Sequence, residues 1–400
     1  MTIVDKNTHA RASSITNELK QRAEIVAKIA AEHASAVDRE GRFPTEALAS
    51  VRNQRLLGVM VPAELGGEGA SVSDVVDVCY MLGRGCASTG MIFAMHQIMA
   101  AILVRHARDS SWHINLLRRL LTEQLLIASS TTEGQGGGDL RTSVSAVERS
   151  GTRITFEKSA TVMSYGAQAD AILTTARRSA DVPSSDQVLL AVVEGDYQLE
   201  PIVDWETLGM RGTCSAGFTL KAGGAADQIL PDSYATIQMH TMMPVAHLTW
   251  SGVWAGIAAG AVDRARRFVR TAARRNGGQL PPGAAHVTRA TMSLRGLRGI
   301  VASSAQRFES SANDKDQLES LDFQNAMNLL KVTASEMAIA TVMSCMYACG
   351  LAGYRNDGEF SVGRHLRDVL SSSIMINNDR ILAGAATASM LTEIPSSLRG

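Results

Sequence analysis

The hydrophobic pattern of the chain changes character twice, and this change restricts the fold more than any single motif does. Up to about residue 125, apolar residues recur every three to four positions, as in amphipathic helices. From about 126 to 235, short β-rich pieces alternate with polar turns, a spacing typical of a compact antiparallel barrel or sandwich. From 236 to 400, four long helical stretches follow, and such helices bury their apolar stripes against one another. The sequence predicts an α+β chain with an N-terminal helical domain (1–125), a middle antiparallel β-barrel (126–235) and a C-terminal four-helix bundle (236–400).

Local signals place the individual elements within this plan. Pro44 and Glu46 predict the start of a helix, because proline and an acidic residue are both favoured in a first helical turn. The other predicted helices are 15–33, 71–82, 86–106, 112–125, 240–276, 286–311, 321–350 and 362–392. The predicted strands are 126–130, 142–150, 152–157, 171–177, 188–193 and 217–222.

Charge and cysteine content exclude several classes of protein. The 39 basic and 39 acidic residues balance, so the chain lacks the basic footprint of a nucleic-acid binder. The five cysteines form no CxxC or Cys/His pair at metal-ligand spacing, and we predict neither a disulfide framework nor a metal site. Polar residues interrupt the longest apolar run, 86–104, which favours a buried helix over a membrane span. The first 24 residues lack a secretory apolar core, so we expect a cytoplasmic protein.

Two motifs in the middle segment carry a resemblance to a known family. Residues 209–215 read Gly-Met-Arg-Gly-Thr-Cys-Ser, and residues 130–133 read Ser-Thr-Thr-Glu. With Phe43-Pro44 and Arg367-Asp368, they occur in the order and at the spacing of the acyl-CoA dehydrogenase family of flavoproteins, which the chain resembles over nearly its whole length. The resemblance implies the three-part fold predicted above and a bound FAD.

The resemblance also implies which residues contact the flavin ring. Ser130, Thr131 and Thr132 correspond to the segment beside the ring, where a backbone N–H of Thr131 and the hydroxyl of Thr132 satisfy its N1/O2 edge. An ordinary strand edge is the alternative interpretation. Ser164 retains the hydroxyl that hydrogen-bonds near N5 or O4, whereas Val162 replaces the tryptophan that usually shields the ring. The glycines at 134–138 do not open a helix after a strand, so a Rossmann site is disfavoured.

Other matched positions concern the dinucleotide and its neighbours. Arg274 matches an arginine that binds the pyrophosphate of a neighbouring subunit's flavin, which implies a homo-oligomer, by analogy a tetramer. Gly350 and Gly353 match a glycine turn that approaches the same dinucleotide, and Asn378 falls at a polar flavin contact. Gly138 replaces a serine that touches the CoA tail in relatives, which favours a substrate other than free CoA.

The family's catalytic glutamate is missing. Counting from Arg367-Asp368 places Ile376 at its position, where the backbone N–H still offers a contact to a thioester carbonyl, so we predict a substrate-binding role for Ile376. The second family location for the base is Ala246. His96 and His247 are the substitute bases we consider, with a buried, hydrogen-bonded histidine as the alternative for each. Asp379 is more consistent with a structural ion pair to its neighbour Arg380.

Three functions remain open from the sequence. The first is an FAD-dependent dehydrogenase acting on an acyl or aminoacyl thioester of CoA or of an acyl or peptidyl carrier protein, with hydride transfer to flavin N5 and an external electron acceptor. The second is a two-component flavin monooxygenase supplied by a separate reductase; Asn377-Asn378-Asp379 in place of the His-Asp-Pro string of such enzymes disfavours it. The third is a scaffold kept for partner binding, which the retained Thr132, Ser164 and Arg274 argue against.

Overall fold

The computed structural model describes residues 6–107, 109–134, 141–393 and 396 and divides the chain into a helical, a β-rich and a second helical part. The first part contains α1 (Lys6–Glu40), α2 (Thr45–Asn53), α3 (Val72–Gly85), α4 (Ala87–His106) and α5 (Ser111–Glu123). As predicted, α2 begins directly after Pro44. Helix α3 begins at a capping box in which Ser71 and Asp74 satisfy each other's backbone N–H groups.

The middle part consists of two separate sheets, one of which contains a parallel strand pair, and so differs from the predicted antiparallel barrel. Its strands are β1 (Ile127–Ser130), β2 (Glu148–Ser150), β3 (Arg153–Ala160), β4 (Ala171–Arg177), β5 (Gln187–Val193), β6 (Tyr197–Val203) and β7 (Gly217–Ala225). One sheet has the order β1-β4-β5, and the other has the order β2-β3-β7-β6. The pairing of β1 with β4 is parallel, whereas the other strand pairs are antiparallel. The sequence analysis did not predict β6, whose residues are half-buried or exposed.

The last part is a helical bundle, as predicted, but its final helix is interrupted. Its helices are α6 (Tyr234–Ile237), α7 (Met243–Arg275), α8 (Ala284–Ser311), α9 (Lys315–Glu319), α10 (Leu321–Cys349), α11 (Leu351–Tyr354), α12 (Gly363–Ile374) and α13 (Asn378–Leu391). The predicted helix 362–392 is therefore two helices with a break at 375–377. A π-helical turn at Gln238–Met242 leads into α7, a distortion that often occurs at functional sites.

One continuous apolar core joins the three parts. It includes buried residues of α3, α4, α7 and α10 and of both sheets. Helices α3 and α7 approach closely because Gly256 has no side chain: a Cβ there would lie 2.2 Å from the carbonyl oxygen of Tyr80. Three helical stretches are long and apolar enough to span a membrane by length and composition, but the apolar windows of α4 and of Tyr234–Arg275 are 94% and 100% buried inside the fold. The acyl-CoA dehydrogenase-like layout predicted from sequence is confirmed.

Candidate functional site

A cavity of about 840 Å³ lies where the middle part meets α4, α7 and the break between α12 and α13. Its volume falls within the range of small-molecule sites. Apolar side chains dominate its lining: Met91, Met95, Ile98, Met99, Met242, Trp205, Trp250, Leu370, Ile374, Met375 and Ile376. The charged residues among the described lining are Glu133, Arg367 and Arg380. The cavity is therefore a largely apolar pocket with polar residues both on the β-rich side and at α12 and α13.

The polar wall begins where β1 ends. Thr131 and Thr132 line the cavity directly after this strand. Neither hydroxyl has a hydrogen-bond partner among the described residues. Ser130 is oriented differently: it is fully buried, does not line the cavity, and its hydroxyl makes no hydrogen bond. The prediction of a cofactor contact therefore fits Thr131 and Thr132, while Ser130 can contribute only through its backbone.

A buried ion pair between Lys158 and Glu133 holds the polar wall in place. The ammonium of Lys158 on β3 is fully buried, lies 3.5 Å from the Glu133 carboxylate, and donates hydrogen bonds to the carbonyl and hydroxyl of Thr175. The same carboxylate accepts from the Ser143 hydroxyl at 2.5 Å and from the Val144 N–H at 2.7 Å. Burial lowers the pKa of Lys158 to about 8.

The ionisation of Glu133 follows from these contacts. Burial raises the pKa of its carboxyl, but the Ser143 hydrogen bond and the charge of Lys158 outweigh burial and hold the pKa below its ordinary value. Glu133 is thus a carboxylate committed to structure, although it borders the cavity.

A chain of hydroxyl groups supports the polar contact offered by Ser164. Ser164 lines the cavity, and its Oγ lies 2.9 Å from Ser215 Oγ. Ser215 Oγ lies 2.8 Å from Thr213 Oγ1, which in turn donates to the carbonyl of Met210 at 2.9 Å. Thr213 and Ser215 belong to the Gly209–Ser215 motif, and the sequence assigned neither of them a role in the site.

The same motif docks the middle part onto α12. A Cβ at Gly209 would lie only 2.1 Å from the carbonyl oxygen of Arg367, so glycine is required for this contact. The N–H of Met210 donates to the buried carboxylate of Asp368 at 2.7 Å. Arg367 binds Asp38 of α1 with both guanidinium nitrogens, at 2.8 and 2.5 Å. One wall of the cavity is therefore connected to both helical parts.

The break between α12 and α13 forms another part of the cavity wall. Ile376 and Asn377 line the cavity in left-handed backbone conformations with φ of 54° and 46°. This conformation is unfavourable for a β-branched residue such as isoleucine. The ammonium of Lys331 on α10 donates to the Asn378 side-chain oxygen at 2.7 Å, and the Asn378 amide donates to Ser335 at 2.9 Å. These contacts anchor the first turn of α13 and hold the break in place.

Neither predicted catalytic histidine lines the cavity. His96 is fully buried; its Nδ1 accepts from the N–H of Ile127 at 3.0 Å and its Nε2 donates to the carbonyl of Leu57 at 2.9 Å. His247 is also buried, with its Nδ1 2.9 Å from the carbonyl of Met327. Burial lowers the pKa of each imidazole to about 4. Both predictions are corrected on this geometry: these are neutral structural histidines.

The remaining predicted contacts are spread across the molecule. Asn378 does not line the cavity, because its amide is used by Lys331 and Ser335, so it supports the site instead of touching a ligand. Arg274 is exposed at the end of α7, and Gly350, with φ of 53°, ends α10. Gly353 lies in α11, packed against Cys349. The protomer therefore brings none of these four to the cavity wall. Gly138 lies outside the described residues.

The cavity residues fit a flavin. The hydroxyls of Thr131, Thr132 and Ser164 offer polar contacts to a ligand, and the methionine and tryptophan side chains give an apolar surface for a flat ring. Val162, predicted to replace a shielding tryptophan, lines the same space and is 47% exposed. Among the described residues no group of three or more His, Cys, Asp or Glu side chains could hold a metal ion.

Comparison with known proteins identifies the family. The fold and the cavity define a flavin-dependent oxidoreductase. Family models described as "Acyl-CoA dehydrogenase, N-terminal domain" and "Acyl-CoA dehydrogenase, C-terminal domain" match residues 17–111 and 236–388. The chain belongs to the acyl-CoA dehydrogenase family.

Individual relatives differ in activity from the dehydrogenases that give the family its name. A dibenzothiophene monooxygenase of Mycolicibacterium goodii is 25% identical over 287 residues, which cover 68% of each chain. The amino sugar nitrososynthase DnmZ of Streptomyces peucetius is 25% identical over 362 residues, or 84% of each chain. The FMN-bound structure of TdsC from Paenibacillus sp. A11-2 has a TM-score of 0.83 at 18% identity and covers 95% of this chain and 98% of its own.

Proposed function

We propose that the protein is a two-component flavin-dependent monooxygenase that takes reduced flavin from a separate reductase and oxygenates an apolar, uncharged substrate. The observation that carries this proposal is the lining of the cavity. Its described residues include no histidine, and its one carboxylate, Glu133, is held by Ser143, Val144 and Lys158.

Thioester dehydrogenation, our first hypothesis from sequence, has less support. Removal of an α-proton requires a base within hydrogen-bond reach of that proton. Ile376 occupies the position of the family's glutamate, Ala246 occupies the second position, and both line the cavity as apolar residues. Oxygenation requires no such base, because the protein's task is to hold the reactants together and to exclude water.

The protein's own residues have separate tasks in this proposal. Met95, Met99, Met242 and Trp250 form an apolar surface on which a planar substrate can pack, since thioethers adapt their shape and interact favourably with aromatic rings. Thr132 and Ser164 orient the cofactor from the polar wall. A bound reduced flavin supplies two electrons to dioxygen, so that one oxygen atom enters the product and the other leaves as water.

The names of the relatives support the choice of reaction and of substrate. Monooxygenases of dibenzothiophene, an apolar sulfur heteroaromatic, and nitrososynthases of amino sugars both appear among them. An apolar cavity suits the first type of substrate better than an amino sugar, which would leave its polar groups unpaired against methionine side chains. We therefore propose a neutral sulfur- or nitrogen-containing aromatic compound as the substrate class.

The cofactor prediction is refined in the same direction. The sequence resemblance implied FAD, whereas the related structure TdsC contains FMN. We propose that FMN suffices, because the cavity contacts described above concern the ring. The adenylate half of FAD would depend on Arg274 of a neighbouring subunit in a homo-oligomer.

Replacement of Arg274 by alanine tests this refinement. We expect unchanged FMN affinity, measured by quenching of flavin fluorescence, because the exposed guanidinium lies away from the cavity of its own protomer. If the same variant instead loses FAD affinity tenfold or more, about 1.4 kcal/mol, the cofactor is FAD and the intersubunit contact of Arg274 forms as the resemblance implied. Arg275→Ala, at the neighbouring exposed position, is the matched control.

Reductase dependence tests the proposed function. Purified protein with FMN, NADH and a flavin reductase should convert apolar sulfur or nitrogen heteroaromatics, with dibenzothiophene and indole as first probes. Omission of the reductase should abolish conversion. Anaerobic incubation with acyl-CoA thioesters should leave the absorbance of oxidised flavin unchanged, and bleaching by such a thioester would refute the proposal.

A further inference from the structure

The hydroxyl groups of Ser164, Ser215 and Thr213, all of which line the cavity, form a chain with a defined direction. A carbonyl oxygen accepts hydrogen bonds and never donates, so the 2.9 Å contact between Thr213 Oγ1 and the Met210 carbonyl uses the only hydroxyl hydrogen of Thr213. The same carbonyl also accepts from the indole N–H of Trp205 at 3.0 Å. The orientation of the Thr213 hydroxyl is therefore fixed by a backbone atom.

The orientation of the Thr213 hydroxyl determines the orientation of the other two hydroxyl groups. Thr213 and Ser215 are 2.8 Å apart, and since the hydrogen of Thr213 is used, Ser215 must donate to Thr213. Ser164 and Ser215 are 2.9 Å apart, and since the hydrogen of Ser215 is now used, Ser164 must donate to Ser215. Thr213 and Ser215 are both buried, 2% and 4% exposed, so water competes little for these contacts.

The consequence is that Ser164 presents only lone pairs to the cavity. A ligand atom that carries a hydrogen can donate a hydrogen bond to this hydroxyl. A ligand atom that is itself an acceptor is repelled by the oxygen lone pairs. An ordinary serine would adapt by rotating its hydroxyl. Here rotation would leave the 2.9 Å contact between Ser164 and Ser215 without a hydrogen.

We propose that Thr213 and Ser215 are positioning residues that make the site selective for reduced flavin over oxidised flavin. The inference rests on the proposed function, with Ser164 placed beside N5, one of the two flavin atoms (N5 or O4) that the family resemblance implies as its partner. Oxidised flavin has a bare N5 that can only accept a hydrogen bond, whereas reduced flavin carries N5–H, which donates. A hydroxyl group that can only accept a hydrogen bond pairs with reduced flavin and repels oxidised flavin.

Such selectivity matches the need of an enzyme that receives its electrons from another protein. Reduced flavin would be retained until oxygen and substrate react, and oxidised flavin would leave to be reduced again. The Gly209–Ser215 motif thereby acquires a function beyond docking: its backbone carbonyl at Met210 sets the direction of three hydroxyl groups.

The midpoint potential of bound FMN measures the selectivity directly, because it reports the ratio of the affinities for the two redox forms. We expect a potential above that of free FMN in the unchanged protein. Thr213→Val and Ser215→Ala each release the hydrogen of Ser164, so we expect the affinity ratio to fall about fivefold to tenfold, the effect of one hydrogen bond. A tenfold change lowers the potential by about 30 mV for a two-electron couple.

The variants are chosen so that a change in the midpoint potential can be distinguished from a loss of folding. In Thr213→Val, the Met210 carbonyl keeps its bond from Trp205, and the side-chain shape is conserved. Thr341→Val removes a buried hydroxyl bonded to a backbone carbonyl of α10, outside the cavity lining, and should leave the potential unchanged. Thermal unfolding of each variant accompanies the titration, and either Thr213→Val or Ser215→Ala suffices because the chain runs through both.

Each outcome decides the matter. Lower potentials in either cavity variant, with no change in Thr341→Val, support the inference. Unchanged potentials in variants that still bind FMN overturn it while leaving the proposed function intact. Failure of the unchanged protein to bind FMN in either redox state overturns the proposed function and this inference together.

Discussion

Replacement of His96 by alanine should destabilise the protein strongly while leaving the flavin site chemically complete. The substitution removes the acceptor of the Ile127 N–H and leaves a gap in a fully buried part of the core. An orphaned buried donor costs about 1–3 kcal/mol, and the gap adds to this, so we expect the free energy of unfolding to fall by about 3 kcal/mol or more. Urea denaturation at pH 7.5 measures the change.

The pH dependence gives this prediction a second readout. Burial lowers the pKa of His96 to about 4, below the value near 6.5 of an unfolded chain. The unfolded state therefore binds more protons between these values, and the stability contributed by the neutral imidazole is complete above pH 6.5 and lost as the pH falls toward 4. We expect His96 to account for about 3 kcal/mol of acid destabilisation, which His96→Ala should remove.

The control for this prediction is a histidine at the surface. His33 on α1 is half exposed, with 40% of its side chain accessible, and His33→Ala should change the free energy of unfolding by less than about 0.5 kcal/mol. If His96→Ala instead unfolded like the unchanged protein but lost turnover, the assignment of His96 as a structural residue would be wrong, and the catalytic role considered from sequence would return.

Replacement of Gly209 by alanine should separate the middle part from α12. The added Cβ would lie 2.1 Å from the carbonyl oxygen of Arg367 and 2.7 Å from the N–H nitrogen of Asp368, and backbone on this side cannot move aside cheaply. The displacement also threatens the hydrogen bond from Met210 to Asp368. We expect a loss of about 3 kcal/mol or more in unfolding free energy, together with weaker FMN binding.

Gly299→Ala is the matched control for the docking prediction. Gly299 lies within α8, and a Cβ there would meet nothing within 4 Å. Because alanine favours helix more than glycine does, this variant should be stabilised by up to about 1 kcal/mol. Equal effects of the two substitutions would mean that the contact of Gly209 with α12 is not required for the fold.

The fold was readily predicted because helical periodicity and the order of the motifs can both be read directly from the sequence. The predicted strand 152–157 lies within β3, for example, where Ile154 and Phe156 are buried and Thr155 and Glu157 are exposed. Lys158 follows the same alternation and is therefore buried, although its charge suggests an exposed position. Its partner Glu133 lies on a different segment, and nothing in the local sequence reveals the pairing.

The site was predicted less completely, for two physical reasons. Thr131, Thr132, Ser164 and Ile376 all line the cavity, and their contacts with a cofactor or substrate stay predictions. The break at 375–377 escaped prediction because no glycine or proline marks it, and a left-handed isoleucine is disfavoured by local preference.

Contacts between distant segments were the second reason. The bond between Ser164 and Ser215 joins residues 51 positions apart, and it forms only when the two loops of the middle part meet. His96 was misjudged for the same reason, since its partners Leu57 and Ile127 lie 39 and 31 residues away.

The central claim, that this member of the family oxygenates its substrate, is tested most directly by oxygen labelling. Protein loaded with reduced FMN under anaerobic conditions would be mixed with ¹⁸O₂ and a panel of apolar sulfur and nitrogen heteroaromatics, and the products would be analysed by mass spectrometry. We expect a product that gains one ¹⁸O atom, and no conversion with oxidised FMN. Product oxygen derived from water, or anaerobic reduction of the oxidised flavin by an acyl thioester, would contradict the central claim.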